Sequence, residues 1–247
     1  MLVAAGVVLS SLPARALVYT QGDILLGVRA TGGDGSTYVY LVNLGTDTSI
    51  INGSFAGTSI GTDLAAIYGD GWNTRSDLYW GVFGAKSVNT LYGSRERDDI
   101  ATQSEAWPAL PSTGERSDVQ SGINTVGITY QNNSGASLYV PVNLQAGVQS
   151  SSVPGGYFTQ VSADPNFATT SQWSSIEGSF ADGAENSILD FYRVTGSVST
   201  TKYLGSFSIS DEGLVTFAAV PEPSTYALLA IAATAFVIFF RRRSLRA

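Results

Sequence analysis

Residues Thr37 to Leu44 read TYVYLVNL, and their alternation decides the fold class. On an extended chain Tyr38, Tyr40, Val42 and Leu44 fall on one side, and Val39, Leu41 and Asn43 on the other. β-Branched and aromatic residues at that period favour a strand. Upstream, Asp23 to Ala30 (DILLGVRA) reads the same way, and Thr31-Gly32-Gly33-Asp34-Gly35 lies between the two runs. Two strands around a glycine-rich loop predict a β-hairpin.

The same pattern recurs outward from this hairpin. Strands are expected at 48–55, 77–83, 90–93, 123–130, 138–144, 187–195, 202–209 and 213–218, with turns at Asn132-Asn133-Ser134-Gly135 and Ser210-Asp211-Glu212-Gly213. Between them, 62–68 suits a two-turn helix capped by Thr62 or Asp63 and ended by Gly69. Segment 94–122 reads as a short helix within a polar surface excursion, and 145–175 as loop-rich. About ten short strands with one or two small helices predict an all-β domain, a β-sandwich or jelly-roll-like fold.

Composition supports a folded body. Hydrophobic residues make up 44% of 247 and charged residues 13%, the reverse of a disordered chain. The chain has no Cys, which excludes disulfides, thiolate metal sites, iron–sulfur clusters and a cysteine nucleophile. It has no His, which excludes a Ser-His-Asp triad and imidazole ligands. Five of the thirteen basic residues and one of the twenty acids lie outside 17–220, so this middle carries a formal −11. An acidic body argues against nucleic acid as a partner.

Both ends read as addresses. Leu2 to Leu12 (LVAAGVVLSSL) is a short apolar run followed by Pro13 and Ala14-Arg15-Ala16. Small residues at Ala14 and Ala16 fit signal peptidase cleavage, making 1–16 a signal peptide. No Lys or Arg follows Met1, so the true start is expected further upstream. A buried core segment is the alternative. At the other end Pro221-Glu222-Pro223 precedes an uncharged stretch, Tyr226 to Phe240, and then Arg241-Arg242-Arg243. Fifteen helical residues span about 22 Å, short for a hydrocarbon core of about 30 Å, though bilayers thin and arginines snorkel. By the positive-inside rule the Arg cluster stays cytoplasmic, leaving 17–219 as an extracytoplasmic domain and 220–247 as a tail.

This tail resembles the PEP-CTERM sorting signal through Pro221, Glu222 and Pro223, the transmembrane helix and Arg241, Arg242 and Arg243. The pieces DILLGVRATG, YLVNLG, LYWGVFGA and YLGSFSISDEGLVTF also look like those of PEP-CTERM proteins from bacteria. The resemblance implies processing by an exosortase, which removes the helix and passes the protein to the cell surface or exopolysaccharide matrix. An ordinary single-pass anchor is the alternative.

In the middle, three acidic pairs stand out: Asp98 with Asp99, Asp182 with Glu185, and Asp211 with Glu212. Glycosidases use two carboxylates about 5–10 Å apart, but acids in turns are more often simply solvated. Asp70, Asn73 and Asp77, with Gly69 and Gly71, offer oxygen ligands for calcium without EF-hand spacing. Trp72, Tyr79, Trp80 and Tyr92 would suit sugar stacking if exposed, though aromatic strands are normally core. Lys86 and Lys202, the only lysines, lie in no Ser-x-x-Lys motif. The expectation is therefore a non-enzymatic exported protein with no cofactor, no metal and no catalytic residue. Its partners would be signal peptidase, exosortase, the membrane and the exopolysaccharide. A carbohydrate-binding module and a secreted Asp/Glu hydrolase are the rivals.

Overall fold

A computed structural model describes residues 17–132, 139–163, 173–197 and 200–220. Ten strands form one antiparallel sheet: β1 (Asp23–Ala30), β2 (Tyr38–Thr46), β3 (Thr58–Ser59), β4 (Leu78–Ser87), β5 (Thr90–Glu96), β6 (Ala146–Ser150), β7 (Glu177–Ser179), β8 (Leu189–Val194), β9 (Lys202–Ile209) and β10 (Leu214–Ala219). Their hydrogen-bonded order is β3-β10-β9-β8-β5-β4-β1-β2-β6, with β7 beside the first half of β4. The hairpin read from 23–44 is β1–β2, with Val28 opposite Tyr40 and Leu26 opposite Val42. The sandwich expectation implies two sheets, whereas these strands hydrogen-bond into one curled sheet.

The curl follows from burial. All eight residues of β1 are buried, so both faces of the sheet are covered. Ile24, Leu26 and Val28 point into one core with Tyr40, Trp80, Phe191, Phe207 and Val215, which draws the distal strands onto the central ones. Leu25, Leu41 and Phe83 point into a second core, where Val119, Ile123, Val126, Tyr157 and Trp173 cover the opposite face.

Among the described residues four α-helices accompany the sheet: α1 (Asp47–Ile51), α2 (Gly61–Tyr68), α3 (Thr113–Gln131) and α4 (Tyr157–Ala163). Several expectations are corrected here. Where a strand was expected at 48–55, Thr46 Oγ1 accepts from Ser49 N and starts α1. The helix at 62–68 is α2, ended at Gly69 with φ +92°, but no side chain caps its N-terminus. The short helix of 94–122 and the strand of 123–130 are replaced by the 19-residue α3, capped by Ser112 Oγ accepting from Glu115 N. Val119, Ile123, Val126 and Tyr130 recur at helical spacing and bury one stripe, which overrides their β propensity. No strand forms among the described residues of 138–144, and the loop-rich 145–175 contains β6 and α4. The Asn132–Gly135 turn lies largely outside the described residues.

The cross-strand pair Gly27 and Gly81 shapes the second core. A Cβ on Gly27 would lie 2.6 Å from Tyr157 Cε1, and one on Gly81 would lie 2.8 Å from Tyr157 Oη. The two glycines thus form a floor for the Tyr157 ring, which stacks on Phe83 at 5.2 Å between centroids. Its hydroxyl donates to the buried Glu177, 2.8 Å away, which Arg29 also grips through Nε at 2.9 and 3.0 Å. Burial drives the Tyr157 hydroxyl well above its ordinary pKa.

The sheet's two edges meet at a clasp. The Asp63 carboxylate of α2 accepts from Tyr40 Oη (3.0 Å), Tyr139 Oη (2.7 Å), Val142 N (2.6 Å) and Asn143 N (3.1 Å). Asn143 Nδ2 then donates to Thr58 Oγ1 and Ser59 O of β3. The segment leading into edge strand β6 is thereby fastened to edge strand β3.

Candidate functional site

Antiparallel pairing gives the sheet two ends of different character. Leu91 lies opposite Val194, Arg193 opposite Lys202, and Ala219 opposite Gly205. The β4–β5 turn, the β8–β9 connection and the last residues of β10 therefore share one end. The β1–β2 and β9–β10 turns, the start of β4 and the segment before β8 share the other.

That second end is acidic and holds a cleft of about 310 Å³ lined by Glu96, Asp98, Asp99, Ser179, Asp182 and Asn186, among others. Two of the three acidic pairs read from sequence contribute here. The β5–β8 register and the β4–β7 pairing bring 96–99 beside 179–187, which sequence distance concealed. Glu185 does not line the cleft, and Asp211 and Glu212 remain in the β9–β10 turn, where Ser210 Oγ donates to Glu212 Oε2. Glu96, which was not singled out, is the more unusual member. Its Oε1 accepts from Ser179 N at 2.8 Å. Burial pushes its carboxyl above the ordinary range, and the Asp98 and Asp182 charges add to the effect. The signal available in the sequence was the run Arg95-Glu96-Arg97-Asp98-Asp99. Arg97 also lines the cleft, where it pairs with the fully buried Asp190, with Nη2 2.8 Å from Oδ1.

The calcium candidates are organised by an arginine. Asp70 and Asp77 share a recess with Asp34 and Arg75, and Asn73 does not line it. Arg75 donates to Asp77 Oδ1 and Oδ2 at 2.9 and 2.7 Å, and to the carbonyls of Gly32, Asp34 and Tyr68. The guanidinium stands where a cation would sit and holds the Asp77 carboxyl below its ordinary pKa. No cluster of three acidic side chains with metal-binding geometry occurs among the described residues.

The aromatic candidates are mostly interior. Trp72, Trp80 and Tyr92 are buried and only Tyr79 is partly exposed. Trp80 Nε1 donates to Ser187 Oγ at 2.7 Å, and Trp72 packs edge-on against Phe180. Tyr92 Oη donates to Asp47 at 2.7 Å, which also accepts from Lys86 Nζ at 3.0 Å. Burial opposes the Asp47 charge, but these two donors hold its pKa below the ordinary value. Lys202 is exposed at the start of β9.

Ala14 and Ala16, expected at a signal cleavage site, and tail residues Pro221, Glu222, Pro223, Arg241, Arg242 and Arg243 lie outside the described residues, as does the stretch expected to span the membrane. Among the described residues no helix is long and apolar enough to cross a membrane. No curated protein and no solved structure matches the chain. The model of the PEP-CTERM protein-sorting motif matches residues 219–243, starting on the last residue of β10. The motif implies export, sorting toward the cell surface and processing by exosortase, and it makes this chain a PEP-CTERM sorting domain-containing protein.

Proposed function

We propose that the mature protein is a non-enzymatic component of the cell surface or exopolysaccharide matrix. Signal peptidase would release it after Ala16, and exosortase would process it near Pro221-Glu222-Pro223. The observation that carries this reading is the sorting motif at 219–243, which follows directly on the final strand of the sheet. The burial of Trp72, Trp80 and Tyr92 supports it, since those rings are not offered to a glycan. The test is intact mass and C-terminal peptide mapping of protein from its native host. A mature C-terminus near Pro223, with the 226–240 stretch gone, is expected. A chain that retains Phe240 and Arg243 would leave a plain membrane-anchored ectodomain instead.

The Glu96 cleft favours a second reading, a hydrolase working with carboxylates alone. A carboxyl raised by burial, in a cleft it shares with other acidic side chains, would suit a general acid. Release of sugar from the host's exopolysaccharide, abolished in E96Q, would replace the non-enzymatic reading.

A further inference from the structure

The strand that runs into the sorting motif is held unevenly along its length. At its start β10 is flanked on both sides, with Leu214 and Val215 paired to β3 and β9 along the other edge. From Thr216 onward β9 is its only strand partner among the described residues, so this half is an edge strand. Phe217 is its last anchored side chain, with ring centroids 4.6 Å from Phe207 and 6.1 Å from Phe191. Beyond it Ala218, Ala219 and Val220 are all exposed. Ala219 faces Gly205, which has no side chain to support the pair. What holds these three residues is backbone pairing with β9, which reaches as far as Val220 N donating to Leu204 O at 3.1 Å.

Pro221-Glu222-Pro223 follows at once. Glu222 is two residues past Val220 and at most about 7 Å from it, so the motif lies against the end of the sheet. A peptide-processing enzyme takes its substrate as an extended chain whose backbone groups are free to pair with the enzyme. Residues 218–220 cannot pair with β9 and occupy such a site at the same time. Peeling them breaks a few edge hydrogen bonds, each worth about 1 kcal/mol net, and uncovers little apolar surface. Peeling further would also pull the Phe217 ring from its aromatic partners. The cheap opening therefore ends at Phe217.

We infer that the folded domain limits its own processing: exosortase acts on chains whose residues 218–220 have peeled from β9, with Phe217 as the stop. This rests on the reading that exosortase processes the chain near Pro221-Glu222-Pro223. When peeling and re-pairing are fast, the rate of processing follows the population of the peeled form.

The natural absence of cysteine makes the test direct. Ala218 lies opposite Ser206, and Thr216 opposite Ser208, whose hydroxyl meets that of Thr216 at 2.9 Å. Directly opposed residues of this kind have Cα atoms about 5.5 Å apart, within reach of a disulfide. The S206C/A218C pair pins the strand beyond Phe217, and S208C/T216C pins it before Phe217. Full-length chains carrying either pair, and the parent chain, are incubated oxidised or reduced with membranes from the native host. The shortened product is followed by intact mass. Oxidised S206C/A218C is expected to be processed several-fold more slowly than its reduced form, while S208C/T216C is processed equally in both states. Equal rates for the two states of S206C/A218C overturn the peeling, and slowing of both pins alike overturns Phe217 as its stop. A parent chain that is shortened in neither condition overturns the reading of exosortase processing itself.

Discussion

At the scale of single residues, the second core is set by side chains that are missing. Gly27 and Gly81 have ordinary φ, so what they contribute is space rather than backbone freedom. G27A would drive a methyl into the Tyr157 ring and should cost about 1–3 kcal/mol in thermal or urea unfolding. The same change in a Y157L background should cost clearly less, because the two sites share one contact. A penalty unchanged in that background would mean the ring is not the obstacle. The sequence hinted at none of this, since Tyr157 reaches Gly27 from 130 positions away. The burial of Trp72 and Trp80 was legible, because aromatic strand residues are core by default.

At the scale of elements, the clasp at Asp63 joins α2, β2, the segment before β6 and edge strand β3. Each carboxylate oxygen accepts from one tyrosine hydroxyl and one backbone amide. D63N turns one oxygen into a donor, so whichever way the amide faces, one of those pairs loses its acceptor. The expected loss is about 2–3 kcal/mol, with faster hydrogen exchange at the Val142 and Asn143 amides. Unchanged exchange there would show that the two edges hold without it. Strands β1, β2, β4, β8, β9 and β10 were legible from alternation and turn chemistry. Helix α3 was not, because its residues 123–130 (INTVGITY) favour strands locally and become helical by packing one stripe on the sheet. The cleft was legible only in pieces, since Asp98, Asp99 and Asp182 are joined by register rather than by sequence.

For the whole molecule, crowding of acids at one end makes stability depend on pH. The Glu96 carboxyl has a raised pKa because burial and then Asp98 and Asp182 disfavour its charge. The folded state therefore holds this proton more tightly than the unfolded chain does. Its contribution to stability is full below the ordinary carboxylate range, near pH 4, and is lost as pH rises through the folded value. E96Q should flatten that part of the profile and raise the melting temperature at pH 7 more than at pH 4. Parallel melting profiles for E96Q and the parent chain would remove Glu96 as a cause.

The pairing of β3 with β10, in which Thr58 meets Val215, also sets an order in time. The first of these strands leaves the ribosome about 155 residues before the second, and an exported chain emerges in the same order. The early hairpin can form at once, but the sheet stays open at this edge until residue 219 has cleared the export channel. By then the tail is next to cross. Closure of the fold and arrival of its address thus become one event, and a chain stalled before β10 would be both unfinished and unsorted.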